Sequence, residues 1–173
     1  MHSAKGAIGW NRIGPGSPLR RLYEWDGLTG FIRAALALPV LFRDADPVGA
    51  CSIMLYGEGD ELGWHFDSSE FAVTLMLQTS EGGGSFEYVP RIRDASDERL
   101  DAVGRLLAGA RDGVLTMDGQ PGTLALFAGR HSIHRVTRIT GKTARVNAVL
   151  AYAQKPGHQL TPVSRELFYG QSS

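Results

Sequence analysis

The chain has 173 residues, 43% of them hydrophobic, with 18 basic and 18 acidic side chains, a formal net charge of zero and one cysteine, Cys51. That length suits one domain with a sizeable core. The neutral balance removes any electrostatic case for nucleic acid or an anionic membrane, and the lone cysteine excludes an internal disulfide and points to a reducing cytoplasm.

The longest apolar run, AALALPVLF (34–42), contains a proline and is too short to span a bilayer, and the N-terminus lacks the apolar stretch of a secretory signal. Residues 1–22 are rich in glycine and proline without periodicity and predict a loose N-terminal arm, leaving residues 23–173 as one domain. LTGFIRAALALP (28–39) predicts a helix, with Thr29 as cap, an apolar stripe of Phe31, Ile32, Ala35, Leu36 and Leu38, and Pro39 as stop. ACSIMLYGEGDELGWHFD (50–67) predicts two strands about a Gly-Glu-Gly-Asp turn, and FAVTLMLQ (71–78) a buried strand. SEGGGSFEYVPRIR (80–93) gives a glycine turn and a strand ending at Pro90. A helix is expected over 95–109, with Leu100, Val103 and Leu107 on one face; Gly104 weakens it by about 1 kcal/mol relative to alanine. GTLALFAG, HSIHRVTRIT and ARVNAVLAYAQ complete the chain as three strands separated by Gly129 and Gly141. Short strands punctuated by glycine, with two helices, predict a mainly β fold, a sandwich or distorted barrel backed by helices. Strands that follow one another without intervening helices, and the lack of GxGxxG, argue against a dinucleotide-binding α/β fold.

GWHFD (63–67) carries the first chemical signal. Side chains two apart on a strand share a face, so His65 and Asp67 project together while Trp64 and Phe66 point the other way. An imidazole nitrogen and a carboxylate oxygen on one face, joined by a second histidine, form a ligand set for a ferrous centre that leaves three octahedral positions open. The second histidine must be His2, His131, His134 or His158. His2 and His158 lie in loose segments, and His131 sits near a turn with parity opposite to His134, so strand parity favours His134 without deciding the matter. A bare HxD pair also arises by chance, or as a hydrogen bond that orients a surface strand.

Residues 134–152, HRVTRITGKTARVNAVLAY, predict a hairpin turning near 140–142. If Arg138 pairs with Arg145, Val136 faces Asn147 and His134 faces Val149, which puts Arg145 and Asn147 on the face of His134. A slip of one residue turns both away. An arginine held in an interior is costly unless it meets an anion, and its planar fork matches a small carboxylate. The other reading is a surface cation beside a lysine-containing turn.

Taken together, LYGEGDELGWHFD, FAVTLMLQ, GGGSFEYVPRIR, PGTLALFAGRHSIHRV and GKTARVNAVLAY resemble the iron(II)- and 2-oxoglutarate-dependent dioxygenases, over residues 50–153. The resemblance rests on the HxD pair, a distal histidine in HRV and an arginine eleven positions later, in the family's order. It implies a double-stranded β-helix, the cupin-like jelly roll, with a few supporting helices. It also implies that His65, Asp67 and His134 hold Fe(II), that Arg145 grips the distal carboxylate of 2-oxoglutarate, and that Asn147 and Tyr56 assist near the cosubstrate. Dioxygen and a small-molecule substrate would be the other reactants, with succinate and carbon dioxide released.

GGGSFEYVPRIR further resembles the subset containing hydroxylases and halogenases of free amino acids and related small polar metabolites. Members that bind chloride on iron carry a small residue where this chain has Asp67, so the carboxylate favours hydroxylation. Arg91, Arg93 and Glu87 on that segment are candidates for binding the carboxylate and amine of such a substrate, or else form a solvated edge. The subset often has a longer region before the core. The short arm here raises the expectation of an abbreviated or missing lid, or of one lent by another subunit in a homo-oligomer. A non-oxidative metal-binding cupin, an isomerase or a small-molecule sensor, is the main rival, and it has no need of Arg145. A metal-free binding β-sandwich is another, and it requires His65 and His134 to lie far apart.

Overall fold

The computed structural model describes residues 3–170, apart from the side chains of residues 3, 167 and 168, so His2 lies outside the described residues. The chain opens with β1 (Ser3–Ala4), β2 (Gly6–Ile8) and a single 3-10 turn, Trp10–Arg12. α1 (Pro18–Glu24) begins on a proline whose fixed φ suits a first helical position. α2 (Asp26–Ala35) carries an acid in its first turn and Arg33 in its last, complementing the helix dipole. Then come β3 (Phe42–Arg43), β4 (Cys51–Tyr56), β5 (Glu61–His65), β6 (Ala72–Gln78) and β7 (Phe86–Val89). After α3 (Leu100–Leu107) follow β8 (Leu115–Met117), β9 (Leu124–Phe127), β10 (Ile133–Val136), β11 (Arg145–Leu150) and β12 (Tyr152–Ala153). α4 (Pro162–Tyr169) is capped by Thr161, whose hydroxyl accepts from the Ser164 N–H. Among the described residues no helix is long and apolar enough to cross a membrane.

The strands form two five-stranded sheets, β1-β5-β10-β7-β8 and β2-β4-β11-β6-β9, and a separate pair of β12 with β3. Their antiparallel pairing and the skipping of neighbours along the chain give the mainly β jelly roll expected from the sequence. The chain forms two compact units, residues 1–6 with 55–147, and residues 7–54 with 148–173.

The second unit corrects the expectation of a loose N-terminal arm. Ile13, Leu19 and Tyr23 are buried, Tyr23 packs against Trp10 and Tyr152, and its hydroxyl donates to the Ala151 carbonyl at 2.7 Å. Two buried tyrosines and the half-buried Trp10 offset the ordering of a glycine-rich stretch that periodicity alone could not register. In the same unit Asp46 accepts from the N–H groups of Val48, Gly49 and Leu160 and from Arg165, tying the C-terminal segment down. The expected helix over 28–39 is shorter and shifted, because Thr29 does not cap it. Its hydroxyl accepts instead from Arg43 at 3.1 Å, and the helix ends before Ala37, whose φ is +52°.

In the first unit the face expected for α3 is wrong: Leu100 and Leu107 are 76% and 57% exposed, while Leu106 is buried at 5%. The predicted β10–β11 hairpin does not form either, since β10 lies between β5 and β7, and β11 between β4 and β6 in the other sheet. The linking backbone finds its partners elsewhere. Thr137 N–H donates to Ser85, Ile139 to Asp60 and Thr140 to Gly82, and these bonds satisfy groups that a hairpin would have used internally.

Candidate metal centre

His65 ends β5 and His134 lies within β10, directly opposite it in the antiparallel register. Their ring centroids are 4.1 Å apart. Strand alternation then turns Asp67, just past the end of β5, toward the same face. Asp67 Oδ1 lies 3.8 Å from His65 Nε2 and 3.6 Å from His134 Nε2. These gaps are too long for hydrogen bonds and leave the three ligand atoms converging without touching. Among the described residues this is the one group of histidine, cysteine and carboxylate side chains able to hold a metal ion. A binding sandwich that separates the two histidines is excluded by this geometry.

The second nitrogen of each ring explains the orientation. His65 Nδ1 donates to the Gly63 carbonyl at 2.8 Å and His134 Nδ1 to the Ser132 carbonyl at 2.9 Å. A carbonyl can only accept, so each neutral ring carries its proton on Nδ1 and presents the Nε2 lone pair to the centre. Burial, and then the neighbouring His134, hold His65 below the usual histidine range, which keeps it in that ligating form. Phe127 from β9 meets His134 edge-on at 5.0 Å and Phe86 from β7 stacks on it at 5.4 Å, so the ring is fixed on its faces as well. Two neutral imidazoles and one carboxylate fit a divalent first-row metal such as iron(II).

Gly129 closes the site from behind Asp67. Its carbonyl accepts from the Asp67 N–H at 3.1 Å, and a Cβ placed on it would lie 2.0 Å from Asp67 Oδ2. Sequence reasoning missed Gly129, Phe86 and Phe127. Phe86 carried a usable signal, as an interior-parity residue on the strand that pairs with β10, whereas Phe127 lies on a strand of the other sheet and Gly129 read only as a strand separator.

Arg145 begins β11 and is 5% exposed. Its Nε has no hydrogen-bond partner, and burial depresses its pKa. The guanidinium lies 5.5 Å from the Tyr56 ring, whose hydroxyl burial pushes up to about 12. Arg145 opens onto a cavity of about 260 Å³ whose lining residues include Thr79, Ser80, Ser85, Met117 and Asp118. Asn147, two residues on, is buried on the same strand face. A buried cation with a spare donor at the edge of a cavity is suited to a small carboxylate.

The three substrate candidates fare differently. Glu87 lies opposite Arg135 on the β7–β10 ladder, so it faces away from His134 and Tyr88. Its two carboxylate oxygens are taken by Arg111 and Arg135. Arg93 is bound to Glu98 at 2.6 Å and to the Arg130 carbonyl at 2.8 Å, and its guanidinium lies 3.7 Å above the Phe66 ring. Both Glu87 and Arg93 are thus occupied by partners within the fold. Arg91, just past β7 with φ +46°, keeps an exposed side chain.

The family model described as halogenase D matches residues 11–168 of the chain. No curated protein matches it. Among solved structures, a 2OG-Fe(II) oxygenase family oxidoreductase from Burkholderia pseudomallei superposes with a TM-score of 0.58 at 19% identity, covering 80% of this chain and 57% of that one. The chain thus spans little more than half of that relative's length. AviO1 from Streptomyces viridochromogenes gives a TM-score of 0.65 at 17% identity, covering 90% of this chain and 69% of its own. HygX from Streptomyces hygroscopicus, with nickel and 2-oxoglutarate bound, gives 0.64 at 14% identity, covering 91% and 72%. A second HygX structure, which also carries hygromycin B, gives 0.63 at 15% identity and the same coverage. At these identities the likeness shows the fold alone.

Proposed function

This chain belongs to the halogenase D family, and on that premise we propose that it is an iron(II)- and 2-oxoglutarate-dependent dioxygenase of the cytoplasm. Its reaction is the hydroxylation of an unactivated C–H bond in a small polar metabolite, an amino acid or a derivative of one. The observation that carries the reading is the convergence of His65, Asp67 and His134, with both imidazole Nδ1 atoms tied to backbone carbonyls.

When bound, iron(II) with 2-oxoglutarate activates dioxygen and oxidises a substrate C–H bond, releasing succinate and carbon dioxide. His65 and His134 hold the metal through Nε2, and Asp67 through a carboxylate oxygen. Arg145 grips the distal carboxylate of 2-oxoglutarate through its planar fork, which gives its unpartnered Nε an acceptor. Tyr56 and Asn147, buried beside it, keep water from that ion pair. Arg91 is the remaining candidate for a substrate carboxylate.

The name of the matched family favours halogenation as a second reading. Asp67 weighs against it, because its carboxylate fills from the protein a coordination place that a halide would need. A non-oxidative cupin is disfavoured by Arg145, a buried cation that such a protein has no use for.

The test is an anaerobic titration of the metal-free protein with Fe(II) and then 2-oxoglutarate, followed in the visible. A weak charge-transfer band that needs both additions, and that fades in Arg145→Ala, is the expected result. Iron binding without a band at any 2-oxoglutarate concentration would favour the cupin instead. Aerobic turnover of an amino-acid panel with chloride present then separates the two oxidative readings by product mass, one added oxygen atom or one chlorine in place of hydrogen.

A further inference from the structure

We infer that Gly129 is a positioning residue for Asp67, its missing side chain being the space in which the ligating carboxylate sits. This rests on the metal-triad reading above. A Cβ built on Gly129 would lie 2.0 Å from Oδ2, 2.7 Å from Cγ and 2.9 Å from Cβ of Asp67, and these are its three nearest neighbours. No pair of carbons or oxygens tolerates such distances. An aspartate has only two side-chain torsions, so the overlap with its carboxylate is relieved only by swinging that group off the line to His65 and His134, and the contact with its Cβ only by a shift of the backbone.

The strand cannot simply retreat. The Asp67 N–H is bonded to the Gly129 carbonyl at 3.1 Å, and Arg130 Nε donates to the Ser68 carbonyl, also at 3.1 Å, which clasps the next residue to the same turn. The backbone gives no reason for glycine at 129, since its φ lies outside the left-handed region that Gly84 adopts at +68°. What requires the glycine is the side chain facing it. Three residues on, the same turn supplies the Ser132 carbonyl that holds His134 Nδ1. A single turn after β9 therefore sets the direction of two of the three ligands.

The experiment compares four proteins: the native chain, Gly129→Ala, Asp67→Gly and the double variant. Iron(II) affinity is read anaerobically by calorimetry, and melting temperature is read on the metal-free proteins. Gly129→Ala should weaken iron binding by about 10- to 100-fold, the range for groups that orient metal ligands. In the Asp67→Gly background the same change should no longer lower the melting temperature, because the atoms it would strike are gone and alanine restricts the unfolded chain. Native-like iron affinity in Gly129→Ala would overturn the inference. So would an equal fall in melting temperature in both backgrounds, which would make the glycine structural for reasons unrelated to Asp67. Failure of the native chain to bind iron would instead sink the triad reading itself.

Discussion

His134 and Arg135 are adjacent in sequence, yet the two faces of their strand obey different rules. On the inner face His134 pairs across the ladder with Tyr88 and His65, and the Nε2 atoms and the Asp67 carboxylate are brought close without bonding. On the outer face Arg135 pairs with Glu87, stands 4.8 Å over the Trp64 ring, and shares the carboxylate with Arg111. The outer polar groups have found protein partners, whereas the inner ones are held in place with a lone pair or a donor to spare. Arg145 belongs with the inner set, since its buried Nε is also unpartnered. Buried polar groups normally find partners, so a cluster that is well oriented yet incompletely bonded marks the place where a ligand completes the structure.

The sharpest way to break this contrast is at a ligand. His134→Ala should cost at least about 100-fold in iron(II) affinity, more than loss of a group that merely orients a ligand, and should lower the melting temperature of the metal-free protein only as far as loss of one ring packed by Phe86 and Phe127 requires. Calorimetry and thermal melts on one preparation check both halves. A large loss of stability without loss of affinity would mean that the inner face is scaffold like the outer one.

Arg145→Met should come next. Losing one partner of a buried, hydrogen-bonded ion pair costs roughly 2–5 kcal/mol, so the dissociation constant for 2-oxoglutarate should rise about 30-fold or more. The metal-free protein should melt no lower than the native one, because the variant removes a desolvated cation that has an unmet donor. Melting with and without 2-oxoglutarate under argon, using manganese in place of iron, reads both effects. A substitution that lowers metal-free stability by several degrees would place Arg145 among the self-satisfied groups.

The same contrast explains what could be read in the sequence. Alternation along GWHFD placed His65 and Asp67 on one face because period two is a local property of the strand, and Trp64 and Phe66 do meet Arg135 and Arg93 on the other side. His134 could be ranked but not chosen, since its pairing with His65 is a long-range register that no local pattern encodes. Arg145 was an expectation drawn from a β10–β11 hairpin that the fold does not form. Jelly-roll connections cross between sheets, and a short link with a glycine in it looks the same whether it turns back or crosses. Glu87 and Arg93 were candidates because sequence shows a charge but not its partner: Arg111 lies 24 residues from Glu87 and Arg130 37 residues from Arg93.

The smallest effect is expected on the outer face. Glu87→Gln should leave iron and 2-oxoglutarate affinities unchanged and cost about 1 kcal/mol of stability near neutral pH, since both arginine partners are partly solvent-exposed. Burial of Glu87 on its own would raise its pKa, but the hydrogen bonds and charges of Arg111 and Arg135 outweigh that and hold the carboxyl below the usual glutamate range. A group whose folded pKa lies below its unfolded one contributes stability that is present above the unfolded value, about 4.5 for Glu87, and is lost as pH falls through the folded value. The gap in stability between the native chain and Glu87→Gln should therefore be widest at neutral pH and close on acidification below about pH 4.5. Urea denaturation of both proteins across that range measures it. A gap that widens in acid would mean the arginines do not hold Glu87 ionised, and the outer face would then share the unmet character of the inner one.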